Sequence, residues 1–279
     1  MTLEPEQLGQ SKSDLAETLR ALRKRVGLTG DRLAKRCAMS QSKISKIETG
    51  KVTPSLVDVE RILTALEAPQ ELVAEVTALA RIANTEWQDK RSSWRRGLEK
   101  RQAELASLEA TSTDLRYFLP AMVTGLLATP EYIKASLTHS PGDTTKTVAK
   151  KLERQAILYD SSKSFTFLLT EQAIRWAIVP PSALAIQVDR LASLSRLPNI
   201  RVGVLPNGTR STRGPMNTFT TYDGRLATVE TFTGRIVFQD PRDVAQYLEI
   251  FSMYEQQALF GEAARQFLSE SVESILHDL

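Results

Sequence analysis

Residues Arg20–Gly50, RALRKRVGLTGDRLAKRCAMSQSKISKIETG, decide how this chain is read. Leu15, Leu19, Leu22 and Val26 recur at helical spacing and stop at Gly27, the residue type that most readily ends a helix. Thr29 then offers a side-chain oxygen to cap a second helix, whose inner face is Leu33, Ala34 and Cys37. Ala38-Met39 makes a tight turn to Ser40, the cap of a third helix. On that helix Ile44 and Ile47 face inward, leaving Gln41, Ser42, Lys43, Ser45 and Lys46 outside before the stop at Thr49-Gly50. Three short helices with turns of this length are spaced for docking in a major groove, and they predict a DNA-binding protein.

The outward side chains have the chemistry for it. Glutamine bonds an adenine edge bidentately, lysine reaches guanine acceptors or phosphates, serine serves either, and exposed amides at a helix N-terminus favour a phosphate. Charge agrees: between Arg20 and Lys51 ten Lys or Arg face only Asp31 and Glu48, a formal +8 in a chain whose whole net charge is +3. The positive charge is therefore local. The rival reading, a helical bundle with a merely solvated basic face, explains the charge but not the turn lengths, both caps and the closing Glu-x-Gly together.

Residues 13 to 67 resemble the Xre/Cro family of lambda-repressor-like helix-turn-helix domains. The run GLTGDRLAKRCAMSQSKISKIETGKVTPSLVDVERILTALEA, residues 27–68, carries the resemblance through the Leu-Ala of helix two, the Ile-x-x-Ile-Glu-x-Gly of helix three and the Pro-Ser that opens helix four. The resemblance implies a five-helix head and base contacts from the first, second and sixth positions of helix three, here Gln41, Ser42 and Lys46. Lys43 is expected on the DNA backbone, and Ser40, Thr29 and Lys51 complete the candidate DNA-binding set. It further implies a structural ion pair between Arg23 and Glu48. Many members carry Gln after the residue equivalent to Thr29; this chain has Gly30.

A length of 279 residues suggests about two domains. The division expected is a helix-turn-helix domain over 1–82, a helical linker over 83–110 and an α/β domain over 111–279. No apolar run approaches the ~18 residues that span a membrane, and MTLEPEQLGQSKSD is too polar for a signal peptide, so a cytoplasmic protein is expected. Its single cysteine, Cys37, excludes an internal disulfide framework and reads as a small buried apolar residue. His139 and His277 are isolated, so no metal is expected. After a helix from Pro69 come Trp87 and Trp94, one heptad apart, among the basic residues Arg81, Lys90, Arg91, Arg95, Arg96, Lys100 and Arg101, which could graze a DNA backbone but read more simply as a solvated face. Residues 102–279 carry seventeen basic and nineteen acidic groups, which gives no electrostatic reason to expect nucleic acid there.

Those residues read as mixed α/β. Extended runs fall at Asp114–Ala121, Phe165–Thr170, Ile200–Leu205, Thr218–Tyr222, Ala227–Phe232 and Arg235–Gln239. Helices are expected from Pro130 under a Thr129 cap, from Thr145 to Tyr159, from Pro181, and in two closing segments, Asp243–Phe260 and Glu262–Leu276. Strand, helix and strand in succession predict parallel pairing of the runs at 165 and 200, while Asp223-Gly224 and Thr233-Gly234 signal hairpins. FLPAMVTGLLATPEYIKASL (118–137), FTFLLTEQAIRW (165–176), LASLSRLPNIRVGVLP (191–206) and the pattern from Tyr254 to Leu276 resemble the uncharacterised α/β domain that follows Xre-type heads in many actinobacterial regulators, some of them antitoxin-like; Thr124 stands where a Pro usually precedes Gly-Leu-Leu.

No nucleophile elbow, no phosphate-binding Gly-Lys-Ser/Thr loop and no His or Cys cluster is present, so neither an enzyme nor a cofactor is expected. Glu171, Arg175 and Trp176, where the strongest strand ends, and Arg210 and Arg213, in the loop that follows the next strand, are the candidate ligand-binding residues. The function expected is a sequence-specific transcriptional regulator acting on a double-stranded operator. Its α/β domain would dimerise and sense a small-molecule effector or a protein; the alternative is an antitoxin-like autoregulator capturing a small protein partner. Leu248, Phe251, Met253, Tyr254, Leu259, Phe267, Leu268, Ile275 and Leu276 look like more apolar surface than one sheet face needs, which points to a homodimer through the C-terminal domain.

Overall fold

The computed structural model describes the backbone of residues 5–89, 98–140 and 142–277, and the side chains of all of these but 5–11, 86–89 and 98–101. The side chains of Trp87, Lys90, Arg91, Trp94, Arg95, Arg96, Lys100 and Arg101, singled out above, lie outside that set. The chain forms two compact units, Met1–Trp87 with Ile236–Val244, and Gln88–Arg235 with Ala245–Leu279. The second segment of the first unit had no signature in the sequence.

Five helices build the first unit: α1 (Pro5–Arg25), α2 (Gly30–Arg36), α3 (Gln41–Glu48), α4 (Leu56–Ala65) and α5 (Gln70–Asn84). Their apolar stripes meet in one core containing Leu15, Leu19, Leu22, Leu33, Ile44, Ile47, Val59, Ile62 and Val76. Val26, expected on the inner stripe of α1, is exposed beyond the helix end. Its neighbour Gly27 stops the helix at φ +69°, a left-handed conformation that costs glycine nothing, and Leu28 N–H returns to the Arg23 carbonyl. Cys37 is buried with its Sγ 3.7 Å from the Arg61 carbonyl, and burial pushes its thiol pKa up, as suits a packing residue. At the start of α4, Ser55 and Asp58 form a reciprocal capping box. The first α4 amide, Leu56 N–H, donates to Asp240 Oδ2 at 3.1 Å, and Arg242 reaches Glu60 at 2.5 Å, so the segment 236–244 completes the cap.

Residues 85–89, assigned above to a helical linker, form instead a short strand, β1 (Thr85–Asp89). Helix α6 (Leu98–Thr111) leads into the sheet of the second unit, whose strands lie in the order Leu226–Glu230, Phe219–Tyr222, Asp114–Leu119, Ser164–Thr170 and Ile200–Leu205. There β2 (Asp114–Leu119), β3 (Ser164–Thr170) and β4 (Ile200–Leu205) run parallel, as the strand-helix-strand pattern predicts. The hairpin of β5 (Phe219–Tyr222) and β6 (Leu226–Glu230) adds antiparallel to β2. Beyond the Thr231–Gly234 turn, β7 (Gly234–Phe238) carries the chain to the first unit, where its later residues neighbour β1. The crossover from β2 to β3 contains α7 (Pro130–Ser136), capped by Thr129, and α8 (Thr145–Arg154), whose last expected turn is a 3-10 helix over Gln155–Tyr159. A five-residue helix that the sequence reading lacked, α9 (Glu171–Arg175), starts at the Thr170 cap, and α10 (Pro181–Leu194) returns the chain to β4. Helices α11 (Pro241–Glu255) and α12 (Gly261–His277) close the chain.

Strand alternation gives the sheet two buried faces. Tyr117 stacks on Phe167 at 4.8 Å on one face, amid a core that also holds Leu184, Val188 and Leu268. On the other face Phe118 stacks on Tyr254 at 4.5 Å, beside Phe219 and Phe251. This disposes of much of the apolar surplus assigned above to a dimer: Phe251, Tyr254, Leu268 and Ile275 are buried within the unit, while Leu259 and Phe267 pack against its core. Leu276 stays exposed.

Candidate nucleic-acid interface

The local sequence fixes where α3 points. Ser40 accepts the Lys43 N–H at 3.1 Å and so satisfies one orphan amide of the first turn, while Ile44 and Ile47 lock the inner face into the core. The turn before it passes through Ala38 at φ +54°, which brings α2 and α3 together over only Cys37, Ala38 and Met39 before the cap. Thr29 caps α2 in the same manner, accepting the Arg32 N–H. With the inner face pinned, Gln41, Ser42, Ser45 and Lys46 are all exposed together, and Thr29, Ser40 and Lys51 are exposed around them.

Arg23 and Glu48 come together as a fork: Nε donates to Oε1 at 2.6 Å and Nη2 to Oε2 at 2.7 Å, with side chains 14% and 10% exposed. Arg23 Nη1 also donates to the Leu28 carbonyl at 2.6 Å. The bonds to Glu48 raise the Arg23 pKa further, so this charge is permanent. One side chain thus ties the end of α1, the following turn and the end of α3, and it sets the angle of the exposed helix. Lys43, expected on the DNA backbone, also pairs within the head, its Nζ lying 2.8 Å from Asp58 Oδ1. Burial opposes the Asp58 charge, but the bonds from Lys43 and Ser55 outweigh it and hold the carboxyl below its usual pKa. A phosphate approaching Lys43 must therefore share it. Asp58 was not singled out from sequence, although its place three residues after Ser55 is the capping-box signal.

In the second unit, Glu171 Oε1 accepts from Arg175 at 2.7 Å and Oε2 accepts the Asn207 N–H at 2.8 Å, so this carboxylate is consumed internally. Arg175 also reaches Ser274 Oγ, and Trp176 is exposed. Arg210 and Arg213 are exposed in the neighbouring loop; among the described residues no hydrogen bond or ion pair joins either to Glu171, Arg175 or Trp176. A buried polar cluster that sequence reasoning missed lies elsewhere. Tyr117 donates to Glu109 Oε1 at 3.1 Å, Arg154 pairs with Glu109 Oε2 at 2.9 Å, and Arg154 also donates to Gln102. Burial raises the Glu109 pKa and drives that of Tyr117 far up, and Tyr222 nearby is pushed up to about 12.

Residues 14–76 match the family model described as a helix-turn-helix domain, which supports a DNA-binding, regulatory role for the head. Residues 102–270, more than half of the chain, match the model described as "Domain of unknown function (DUF5753)". The chain belongs to the DUF5753 family. It is thus a helix-turn-helix head joined to a DUF5753 domain, as the two resemblances implied. No curated protein matches it. Among solved structures, a phospholipase D family member, Nuc from Salmonella typhimurium, is 10% identical with TM-score 0.37, covering 63% of this chain and 97% of that one. NucT from Helicobacter pylori is 8% identical with TM-score 0.38 over the same shares. The archaeal chromatin protein TrmBL2 is 13% identical with TM-score 0.31, over 72% and 64%. At such scores the likeness carries no argument about function. No helix among the described residues is long and apolar enough to cross a membrane.

Proposed function

We propose that this DUF5753 protein is a sequence-specific transcriptional regulator that binds a double-stranded operator as a cytoplasmic homodimer. The observation that carries the reading is α3 itself: its apolar face is pinned by Ile44, Ile47 and the Arg23–Glu48 fork, so Gln41, Ser42 and Lys46 are presented together on a rigid element. In this reading Gln41 contacts an adenine edge, Lys46 a guanine or phosphate, and Ser40, Thr29 and Lys51 the backbone. Dimerisation follows from energetics. One head inserts once in the major groove, whereas two heads about one helical turn apart (~34 Å) gain affinity and operator length together. The DUF5753 domain supplies the pairing and senses an effector, and no catalytic step is assigned to it.

The test is selection of bound duplexes from a random library with the full chain, alongside its sedimentation. The expected result is a palindromic site with half-sites about one turn (~10 bp) apart and a dimer in solution. A single non-repeated site bound by a monomer refutes the dimeric reading, and recovery of unselected sequence refutes specific recognition.

A further inference from the structure

We infer that the DUF5753 domain holds a small organic anion, a phosphate monoester or a carboxylate on an apolar body, in a cleft where α10 ends, β4 begins and α12 starts. The cleft has a volume of about 560 Å³, within the range of small-molecule sites, and it sits apart from the Glu171 region. Three guanidinium groups line it, from Arg196, Arg201 and Arg265.

Their bonding is incomplete. Arg265 donates through Nε and Nη2 to Glu262 Oε2, and Arg201 donates through Nη1 to Glu255 at 2.5 Å while its guanidinium stacks over the Phe260 ring at 4.5 Å. Arg196 is exposed and meets Glu262 only through space; among the described residues it forms no ion pair. A guanidinium carries five N–H donors, so most of the donors here are unspent, and three cations face two carboxylates.

The backbone adds donors of its own. β4 is an edge strand whose odd-numbered residues bond β3, as Phe165 N–H to Asn199 O shows. Its even-numbered residues face outward: Val204 exchanges both hydrogen bonds with Leu259. By the same alternation the Val202 N–H opens on the cleft, and Gly261 and Glu262 of the first α12 turn, whose amides lack a partner within the helix, line it too. Leu197, Pro198, Ile200 and Phe260 give the apolar wall. Basic forks, backbone amides and an apolar wall are the combination that selects an anionic headgroup on a hydrophobic body.

This identifies the effector class for the sensing role proposed above; its regulatory consequence rests on that reading, its occupancy does not. Calorimetric titration of the full chain with phenyl phosphate, phenylacetate and neutral benzyl alcohol tests it. At least one of the two anions is expected to saturate with Kd near or below about 1 mM, with the alcohol about tenfold weaker or absent. R196Q, at an exposed side chain and expected to leave the melting temperature unchanged, should weaken the anion about tenfold, and R265K is the second variant. The stronger anion decides between phosphate and carboxylate. Failure of both anions to saturate, equal binding of benzyl alcohol, or an unaltered Kd in both variants overturns the inference. Operator affinity measured with the cleft saturated separates the two claims: a shift supports sensing, and no shift with binding intact refutes sensing while the cleft stands.

Discussion

Arg23→Ala removes one end of the fork that sets the angle of α3. The loss comprises two charge-assisted bonds to Glu48, at 2.6 and 2.7 Å, and one bond to the Leu28 carbonyl at 2.6 Å. Glu48 would be left 10% exposed without its countercharge. Breaking a fully buried pair by deleting one partner costs about 3–5 kcal/mol; with some water reaching both ends, about 2–4 kcal/mol is expected here. Lys24→Ala, one residue on and exposed, has no such partner among the described residues and should stay within about 0.5 kcal/mol. Hydrogen exchange followed by mass spectrometry on the full chain reads the difference locally, at the amides of Ser45, Lys46 and Ile47. Their exchange should quicken about a hundredfold in Arg23→Ala and hardly change in Lys24→Ala. Glu48→Ala should resemble Arg23→Ala, and the double variant should lose clearly less than the sum, because no charge is then stranded. Equal protection in Arg23→Ala and Lys24→Ala, or strict additivity in the double variant, refutes the claim that the fork holds α3.

Gln41→Ala should relax preference at one base position by about 1–3 kcal/mol in competition binding, whereas Lys43→Ala should weaken all sequences alike and flatten the salt slope by about one unit; uniform loss in both variants contradicts the assignment. Because Lys43 also pairs with Asp58, Lys43→Ala should in addition make α4 amides exchange faster, and unchanged exchange there would detach Lys43 from the cap. The Asp58 carboxyl is held below its unfolded value near about 3.9, so its contribution to stability is full above that pH and is lost as pH falls through the lower folded value. Asp58→Asn should therefore flatten the loss of head stability below about pH 4 in acid titrations followed by circular dichroism, and an identical acid limb in both proteins counts against it. Gly203→Ala places a methyl 2.6 Å from Leu168 Cδ2 and 2.6 Å from the Phe260 ring, so the midpoint of urea unfolding should fall by the equivalent of about 1–3 kcal/mol. A neutral result would mean that Phe260 swings aside freely.

What the sequence made legible and what it did not divides by distance along the chain. Helices α2 and α3 were readable because everything that defines them lies within a few residues: the Thr29 and Ser40 caps, the 3.6-residue apolar period, the stop at Gly50. The β3–α10–β4 unit was readable for the same reason, since apolar runs and Pro180-Pro181 mark it locally. β1 was missed because Thr-Glu-Trp-Gln-Asp has no alternation to separate it from the helix it follows, and α9 because five residues give no period. The remaining features exist only once distant elements meet. Lys43 finds Asp58 across 15 residues and Leu56 finds Asp240 across 184, pairings that no local spacing encodes. Arg23 and Glu48, 25 residues apart, were paired only through family resemblance. Glu109 and Arg154 stand on different helices that no local spacing pairs; α6 and α8 bury them against Tyr117, where each neutralises what would otherwise be a stranded charge. The same limit produced the apparent apolar surplus of the last two helices. Counting one sheet face left Phe251 and Tyr254 without a place, and the second face, built on Phe118 and Phe219, receives them. A dimer interface must therefore be sought in what remains exposed after both faces are filled, not in the total apolar content of α11 and α12.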